Sequence, residues 1–110
     1  MDSISFEDFK KIEIKIGKVI SAEKIPDSDK LIKFQFDVGG VPRQIIAGIA
    51  ESFPDPSILL GKEVPLVLNL EPKKLRGYMS EGMMLVAIAE DGRAVLLHPE
   101  SEVSPGSVVR

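Results

Sequence analysis

The chain has 110 residues and a mass of 12.0 kDa, the size of one domain, which excludes a multidomain enzyme. It has no cysteine and one histidine, His98, so disulfide scaffolds, thiol nucleophiles and cysteine-rich zinc sites are excluded, and we expect neither a metal nor a cofactor. With 14 basic and 17 acidic residues, the net charge of -3 argues against indiscriminate coating of nucleic acid or of anionic membranes.

The first elements predicted are a short helix and a long strand. Ser5 followed by Asp8 resembles a capping box, which indicates one helical turn carrying Phe6 and Phe9. From Ile12 to Ile25, apolar residues alternate with polar ones, which predicts strand one. The alternation becomes ambiguous after Gly17, so we place a bulge or a sharp coil there.

Two further strands follow as a hairpin. Pro26–Asp29 has the composition of a turn, and Ile32–Val38 alternates as strand two, with a wet face that carries Lys33. Gly39–Gly40 then closes a hairpin into strand three at Arg43–Ala47. Arg43 and Gln44 are both polar, so the pattern does not determine which of them faces outward.

A short helix and three more strands complete the chain. Asp55 as N-cap, a proline next and Gly61 at the end predict a helix over Asp55–Gly61. Strand four is Glu63–Leu70, in which Pro65 indicates an edge position or a bulge. Met83–Ala89 reads as a buried strand five and Val95–Leu97 as strand six. The longest apolar run, Met83–Ala89, is far shorter than the roughly 20 residues of a membrane span, so we expect a soluble, cytoplasmic protein.

This order of elements predicts one all-β domain over residues 1–110, a five-stranded OB-fold barrel with a short helix between strands three and four and with N- and C-terminal extensions. Such barrels bind ligands on the face of strands two and three and in two loops, here Pro26–Lys30 and Glu71–Ser80. Ile4, Phe6 and Phe9 are too many apolar side chains for so small a barrel to cover, which predicts a homodimer.

The second loop lies in the most informative segment, Asn69–Met83. Its lysines and its arginine can contact phosphate, Asn69 and Ser80 can donate hydrogen bonds, and Tyr78 can stack on a base or a sugar. The alternative interpretation is a solvated loop whose charges keep the barrel rim wet.

Specific residues in this segment resemble the tRNA-binding domain family, found at the C-terminus of many methionyl-tRNA synthetases and in stand-alone tRNA-binding proteins. The shared pattern is Asn69-Leu70, Pro72, Lys74-Leu75, Gly77 and Ser80-x-Gly82-Met83, supported by Pro26-x-x-Asp29-Lys30-Leu31 and Ala47-Gly48-Ile49. The likeness extends from Phe6 to Val109. Ile25, where many relatives have histidine, and Tyr78, where many have a smaller residue, depart from it.

The resemblance implies a non-catalytic homodimer that holds tRNA by shape and that has an aminoacyl-tRNA synthetase as its protein partner. The tRNA contacts that it implies are Lys30, Lys33, Asn69, Lys73, Lys74, Arg76, Ser80 and Met83. The alternative is a secretion-associated chaperone with the same dimeric fold, which would bind unfolded polypeptide. An enzyme is disfavoured because Ser80 lacks a nucleophile elbow and His98 has no second histidine or cysteine beside it in sequence; we expect His98 to be structural.

Overall fold

The computed structural model describes residues 2–110, whose regular secondary structure is almost entirely β-strand. One helical turn, α1 (Phe6–Phe9), precedes the strands, and Ser5 Oγ caps it by accepting a hydrogen bond from Asp8 N at 3.0 Å, as predicted. The strands are β1 (Ile14–Lys24), β2 (Ile32–Asp37), β3 (Pro42–Ala47), β4 (Glu63–Val67), β5 (Lys73–Leu75), β6 (Tyr78–Ser80), β7 (Met83–Met84), β8 (Val86–Ile88), β9 (Ala94–Leu96) and β10 (Val108–Val109). No helix within residues 2–110 is long and apolar enough to cross a membrane.

The main sheet is antiparallel and curls around the core in the order β3-β2-β1-β4-β7, with β10 also paired to β1. The bulge in β1 falls at Ile20, between Val19 and Ser21, and not at Gly17 as predicted. Gly17 is regularly paired with Val64. It is glycine because a Cβ there would lie 2.4 Å from Leu66 Cδ1 in the packed interior.

The core confirms the alternation predicted for strand two. Ile32, Phe34 and Phe36 are fully buried, and the two phenylalanine rings stack with centroids 5.3 Å apart. Their partners in β3 and β4, including Ile45 and Leu66, are also fully buried. Since this packing accounts for the inner face of β2, its polar residues are directed outward.

The helix predicted over Asp55–Gly61 is instead a short 3₁₀ turn, Pro56–Leu59, and another 3₁₀ turn, Ala50–Ser52, precedes it. The N-cap prediction is confirmed, since the Asp55 carboxylate accepts hydrogen bonds from Ser57 Oγ and Ser57 N. These bonds lower the pKa of the Asp55 carboxyl. Short helical segments of this length are commonly 3₁₀ turns.

The second half of the chain is more broken than predicted. Strand five is interrupted into β7 and β8, and its residues Met83 and Ile88 are exposed, so the prediction of a continuous buried strand is wrong. Pro65 is not on an edge strand, because β4 lies between β1 and β7. The proline is tolerated opposite Ile16, whose backbone bonds to Gly106 N and Ser107 O instead.

The side chain of Arg43 lies on the inner face of β3 and links this strand to other segments of the barrel. Its Nη1 donates hydrogen bonds to Leu68 O at 3.1 Å and to Glu81 O at 3.0 Å, which ties β3 to the segments on either side of the β5–β6 hairpin. Gln44 points the opposite way, and its amide contacts Gln35 in β2 and Met79 in β6. The outward residue of strand three is therefore Gln44.

Candidate nucleic-acid interface

The basic segment predicted as a loop is an ordered β-hairpin. Strands β5 and β6 pair with Lys73 opposite Ser80, Lys74 opposite Met79 and Leu75 opposite Tyr78. The turn between them is made by Arg76 and Gly77, both with positive φ (51° and 86°). Positive φ at both central residues is the geometry of a type I′ turn, which matches the twist of paired strands.

This hairpin, residues 73–80, lies along the edge of β3 that is not paired with β2, and its Tyr78 contacts Lys33 of β2. Ile46 N donates to Ser80 Oγ at 2.9 Å, Gln44 Nε2 donates to Met79 O at 2.9 Å, and Glu81 N donates to Gln44 O at 2.7 Å. Three bonds over a few residues hold β6 against β3. The hairpin is therefore a fixed platform rather than a mobile loop.

Three cations project from this platform. Lys73, Lys74 and Arg76 are all exposed, and within residues 2–110 no carboxylate lies within salt-bridge distance of any of them. Ion pairs among these described residues therefore do not neutralise their charges. An external anion is the partner that such an arrangement favours.

Lys33 is also beside the hairpin, but it is engaged. Its Nζ lies 4.8 Å from the centroid of the Tyr78 ring, which is a cation–π contact, and 3.9 Å from Glu23 Oε2. The contact joins β2 to β6. Lys30 is exposed in the connection that precedes β2, where its carbonyl accepts a hydrogen bond from Ala50 N.

Three of the predicted contacts, Lys73, Ser80 and Met83, share one cavity of about 230 Å³ between the hairpin and β3. Ser80 is 5% exposed, and its hydroxyl accepts from Ile46 N and donates to Gly82 O at 3.2 Å. Met83 is 47% exposed at the cavity wall. Ser80 thus holds the platform together, and its assignment as an RNA contact stays a prediction.

Asn69 has a similar internal task on a different part of the surface. Its Oδ1 accepts a hydrogen bond from Glu13 N at 2.8 Å and its Nδ2 donates to Lys11 O, so the amide fastens the N-terminal segment to the end of β4. Both polar ends of the side chain are occupied. A direct contact between Asn69 and RNA also stays a prediction.

Sequence reasoning missed Gln44 and Leu70 as parts of this surface. Gln44 supports the hairpin, and Leu70, 47% exposed, forms a wall of the cavity with Met83. The role of Gln44 depends on the hydrogen-bonding pattern of β3, for which the sequence contains no signal. For Leu70, the available signal was its position directly after Asn69 in the family pattern.

The remaining chemistry is limited. Among the described residues there is no group of three or more histidine, aspartate or glutamate side chains that could hold a metal ion. His98 Nδ1 lies 2.7 Å from Glu63 O, a contact that makes this nitrogen the donor and agrees with the structural role predicted for His98.

A curled antiparallel barrel with a cationic hairpin fixed along its third strand defines an OB-fold binding module. Comparison with known proteins gives its family. Residues 14–108 match the family described as "Putative tRNA binding domain". The chain belongs to this tRNA-binding domain family.

Individual relatives agree. The methionine–tRNA ligase of Archaeoglobus fulgidus is 51% identical over 108 residues, which are 98% of this chain and 16% of the ligase. The MetRS related protein from Pyrococcus horikoshii superposes with a TM-score of 0.93 at 41% identity and covers 100% of both chains. Chaperone CsaA from Bacillus anthracis str. Ames has a TM-score of 0.88 at 32% identity and covers 99% of this chain and 100% of its own. The chain spans 16% of the length of the ligases that it matches.

Proposed function

We propose that this chain is a non-catalytic module that binds tRNA through a basic face and assists aminoacylation by a methionyl-tRNA synthetase. The basic face consists of Lys30, Lys33, Lys73, Lys74 and Arg76. The observation that carries the proposal is the fixed hairpin, because it presents three unpaired cations on the side of the barrel where OB-folds bind their ligands.

In this mechanism, the module recognises the phosphate charges and the overall shape of the tRNA. Phosphate contacts position an RNA without reading its sequence, so tRNAs of different identity are bound alike. Bound tRNA gains a high local concentration near the catalytic part of a synthetase, which accelerates its use without any reaction in this domain. The relatives that are ligases support this partner, and the cytoplasm is the compartment where the partnership operates.

A homodimer is part of the proposal. Ile4, Phe6 and Phe9 are 67%, 71% and 40% exposed, and Phe6 and Phe9 line a cavity of about 650 Å³ that also includes Val108 and Val109. A two-fold interface would bury these side chains symmetrically. Sedimentation at micromolar concentration is expected to give twice the mass of the chain, and a single species of 12.0 kDa would contradict this part.

The test is a titration of fluorescent tRNA with two triple variants of equal charge. K73A/K74A/R76A removes the unpaired cations of the hairpin and is expected to weaken binding at least about tenfold. K10A/K11A/K15A removes three N-terminal cations that are each within 4 Å of a carboxylate, and we expect less than about a twofold change. Equal losses in both variants would mean that net charge, and not the hairpin, governs binding.

Salt dependence measures how many phosphates are neutralised. With five candidate cations, of which some only steer the approach, the log–log slope of affinity against salt is expected to be about -2 to -4. The hairpin variant should flatten this slope for all tRNAs alike. A flat slope in the unmodified protein would contradict the electrostatic mechanism.

Binding of unfolded polypeptide is the second candidate function, and the similarity over the whole chain to a protein named as a chaperone favours it. Its test is competition. A reduced, unfolded polypeptide that displaces labelled tRNA, or that binds with higher affinity than tRNA, would support this candidate over the first.

A further inference from the structure

The cavity between the hairpin and β3 has apolar walls and a charged rim. Its walls are Ile46, Leu70, Leu75 and Met83, and Glu71 and Lys73 stand at its edge. At about 230 Å³ it is smaller than the pockets that hold drug-sized molecules, so it has room for one flat ring system and not for an extended ligand.

Two large apolar side chains are left half in water at this cavity. Leu70 and Met83 are each 47% exposed, although both belong to backbone segments that are fixed in place. Exposed apolar surface next to a cavity is a feature of binding sites, because a ligand that covers it gains the hydrophobic free energy that the fold did not use.

The cavity is preformed. The hydroxyl of Ser80 bonds to Ile46 N and to Gly82 O, and these bonds hold the hairpin and the start of β7 at constant distance from β3. Gly82 is required at this point, since a Cβ would lie 2.7 Å from Val67 O and its φ is 151°. A rigid site loses little conformational freedom when it is filled.

The charge of the rim indicates the chemistry of the occupant. Lys73 lines the cavity together with Glu71, and Lys74 and Arg76 lie further along the same hairpin, so a phosphate bound by Lys73 would adjoin the apolar slot. A nucleotide that is not base-paired combines these two properties, an anionic phosphate and a flat face that stacks on apolar side chains.

We propose that this cavity receives one unpaired base of the bound RNA. The inference rests on the proposed function and adds to it: electrostatic binding alone does not distinguish a tRNA from a duplex of equal charge, whereas a base-receiving cavity selects RNA that has an unstacked base in a loop or at a corner. The cations then supply affinity, and Leu70 and Met83 supply selectivity for structure.

The experiment compares two RNAs with the same number of phosphates, a stem with an unpaired loop and a blunt duplex. The unmodified protein is expected to bind the looped RNA at least about fivefold more tightly. L70A/M83A should reduce that preference to about unity and leave the salt slope unchanged, because no cation is removed. Met83→Gln, which keeps the length of the side chain, should lower the preference in part.

The matched control is I58A/L60A, which truncates two apolar side chains that are 59% and 51% exposed at the second 3₁₀ turn, and it should retain the full preference. Thermal melting verifies that each variant is folded. Equal binding of both RNAs by the unmodified protein, or an equal loss for both RNAs in L70A/M83A, would overturn the inference.

Three further outcomes distinguish a failure of this inference from a failure of the proposed function. If L70A/M83A has a different sedimenting mass from the unmodified protein, a second copy of the chain covers the cavity and the inference is wrong. If the unmodified protein binds neither of the two RNAs and no tRNA, both the proposed function and the inference are wrong. Binding of tRNA that depends on the hairpin cations, without any preference for the loop, would overturn the inference alone.

Discussion

The N-terminal segment and the β5–β6 hairpin each contribute three basic side chains, but only those of the N-terminal segment form ion pairs among residues 2–110. Lys10, Lys11 and Lys15 lie 3.6, 3.0 and 3.5 Å from carboxylate oxygens of their own neighbours. The cations of the hairpin have no such partner among residues 2–110. A count of charges therefore overstates the binding surface, and the pairing of each cation decides whether it is available to a phosphate.

The two regions are also anchored in comparable ways. One side chain contributes hydrogen bonds that fasten each region to the barrel, Asn69 for the N-terminal segment and Ser80, together with Gln44, for the hairpin. The family pattern includes Asn69 and Ser80 and, taken alone, predicts that each of them contacts the ligand. Their hydrogen bonds indicate a different task for each, which is to place other residues, and this difference can be tested by breaking one anchor at a time.

Breaking the hairpin anchor is expected to have the largest effect. Ser80→Ala leaves the buried N–H of Ile46 without its acceptor, which costs about 1 to 3 kcal/mol of unfolding free energy. Affinity for tRNA should fall several-fold because the cations lose their fixed positions. Urea unfolding and hydrogen exchange at the Ile46 amide measure the two effects. Lost binding at unchanged stability would instead make Ser80 an RNA contact.

Breaking the N-terminal anchor should act on stability alone. Asn69→Ala removes hydrogen bonds to Glu13 N and Lys11 O in an exposed setting, with an expected cost of about 1 kcal/mol in chemical unfolding. Affinity for tRNA at a temperature where the variant is folded should stay within about twofold of the unmodified protein. A large fall in affinity under those conditions would establish Asn69 as the direct contact that its sequence pattern predicts.

The smallest free-energy change is expected at the contact between Lys33 and Tyr78. Tyr78→Leu removes the ring under the Lys33 ammonium, which is worth about 0.5 to 1 kcal/mol at an exposed site, whereas Tyr78→Phe keeps it. We expect a two- to fivefold loss of tRNA affinity in the first variant and none in the second. If Tyr78→Phe weakens binding as much as Tyr78→Leu does, the hydroxyl contacts RNA and the cation–π contact is not the cause.

Much of the fold was predictable because local rules agreed with the final packing. The strict alternation of strand two places Phe34 and Phe36 inside, the Gly39–Gly40 turn is closed by the carboxylate of Asp37, and Asp55 caps its turn. The N–H groups of Gly40 and Gly39 also lower the pKa of the Asp37 carboxyl, so this turn loses its stabilisation only as the pH falls through that depressed pKa.

The parts that were not predictable depend on contacts between distant segments. Gly17 is required by close packing against Leu66, a residue far along the chain, and the bulge falls instead at Ile20. Arg43 and Gln44 are equally polar, and only the closure of the barrel directs one inward and the other toward the hairpin. The candidate site has the same property, since residue type identified its cations but not which of them are paired.

The place of β1 in the sheet has a consequence for how the protein is made. Among the described strands this one is first in chain order, and it pairs with β2, with β4 and with β10, which is last in that order. Long-range pairings form late and slowly, because a large loop must close before they contribute. During synthesis, β1 can pair with β2 early. The backbone groups of its first residues that pair with β10 stay unpaired until Val108 and Val109 have been synthesised. Chaperone access during that interval is expected to matter most at Ile14 to Ile16.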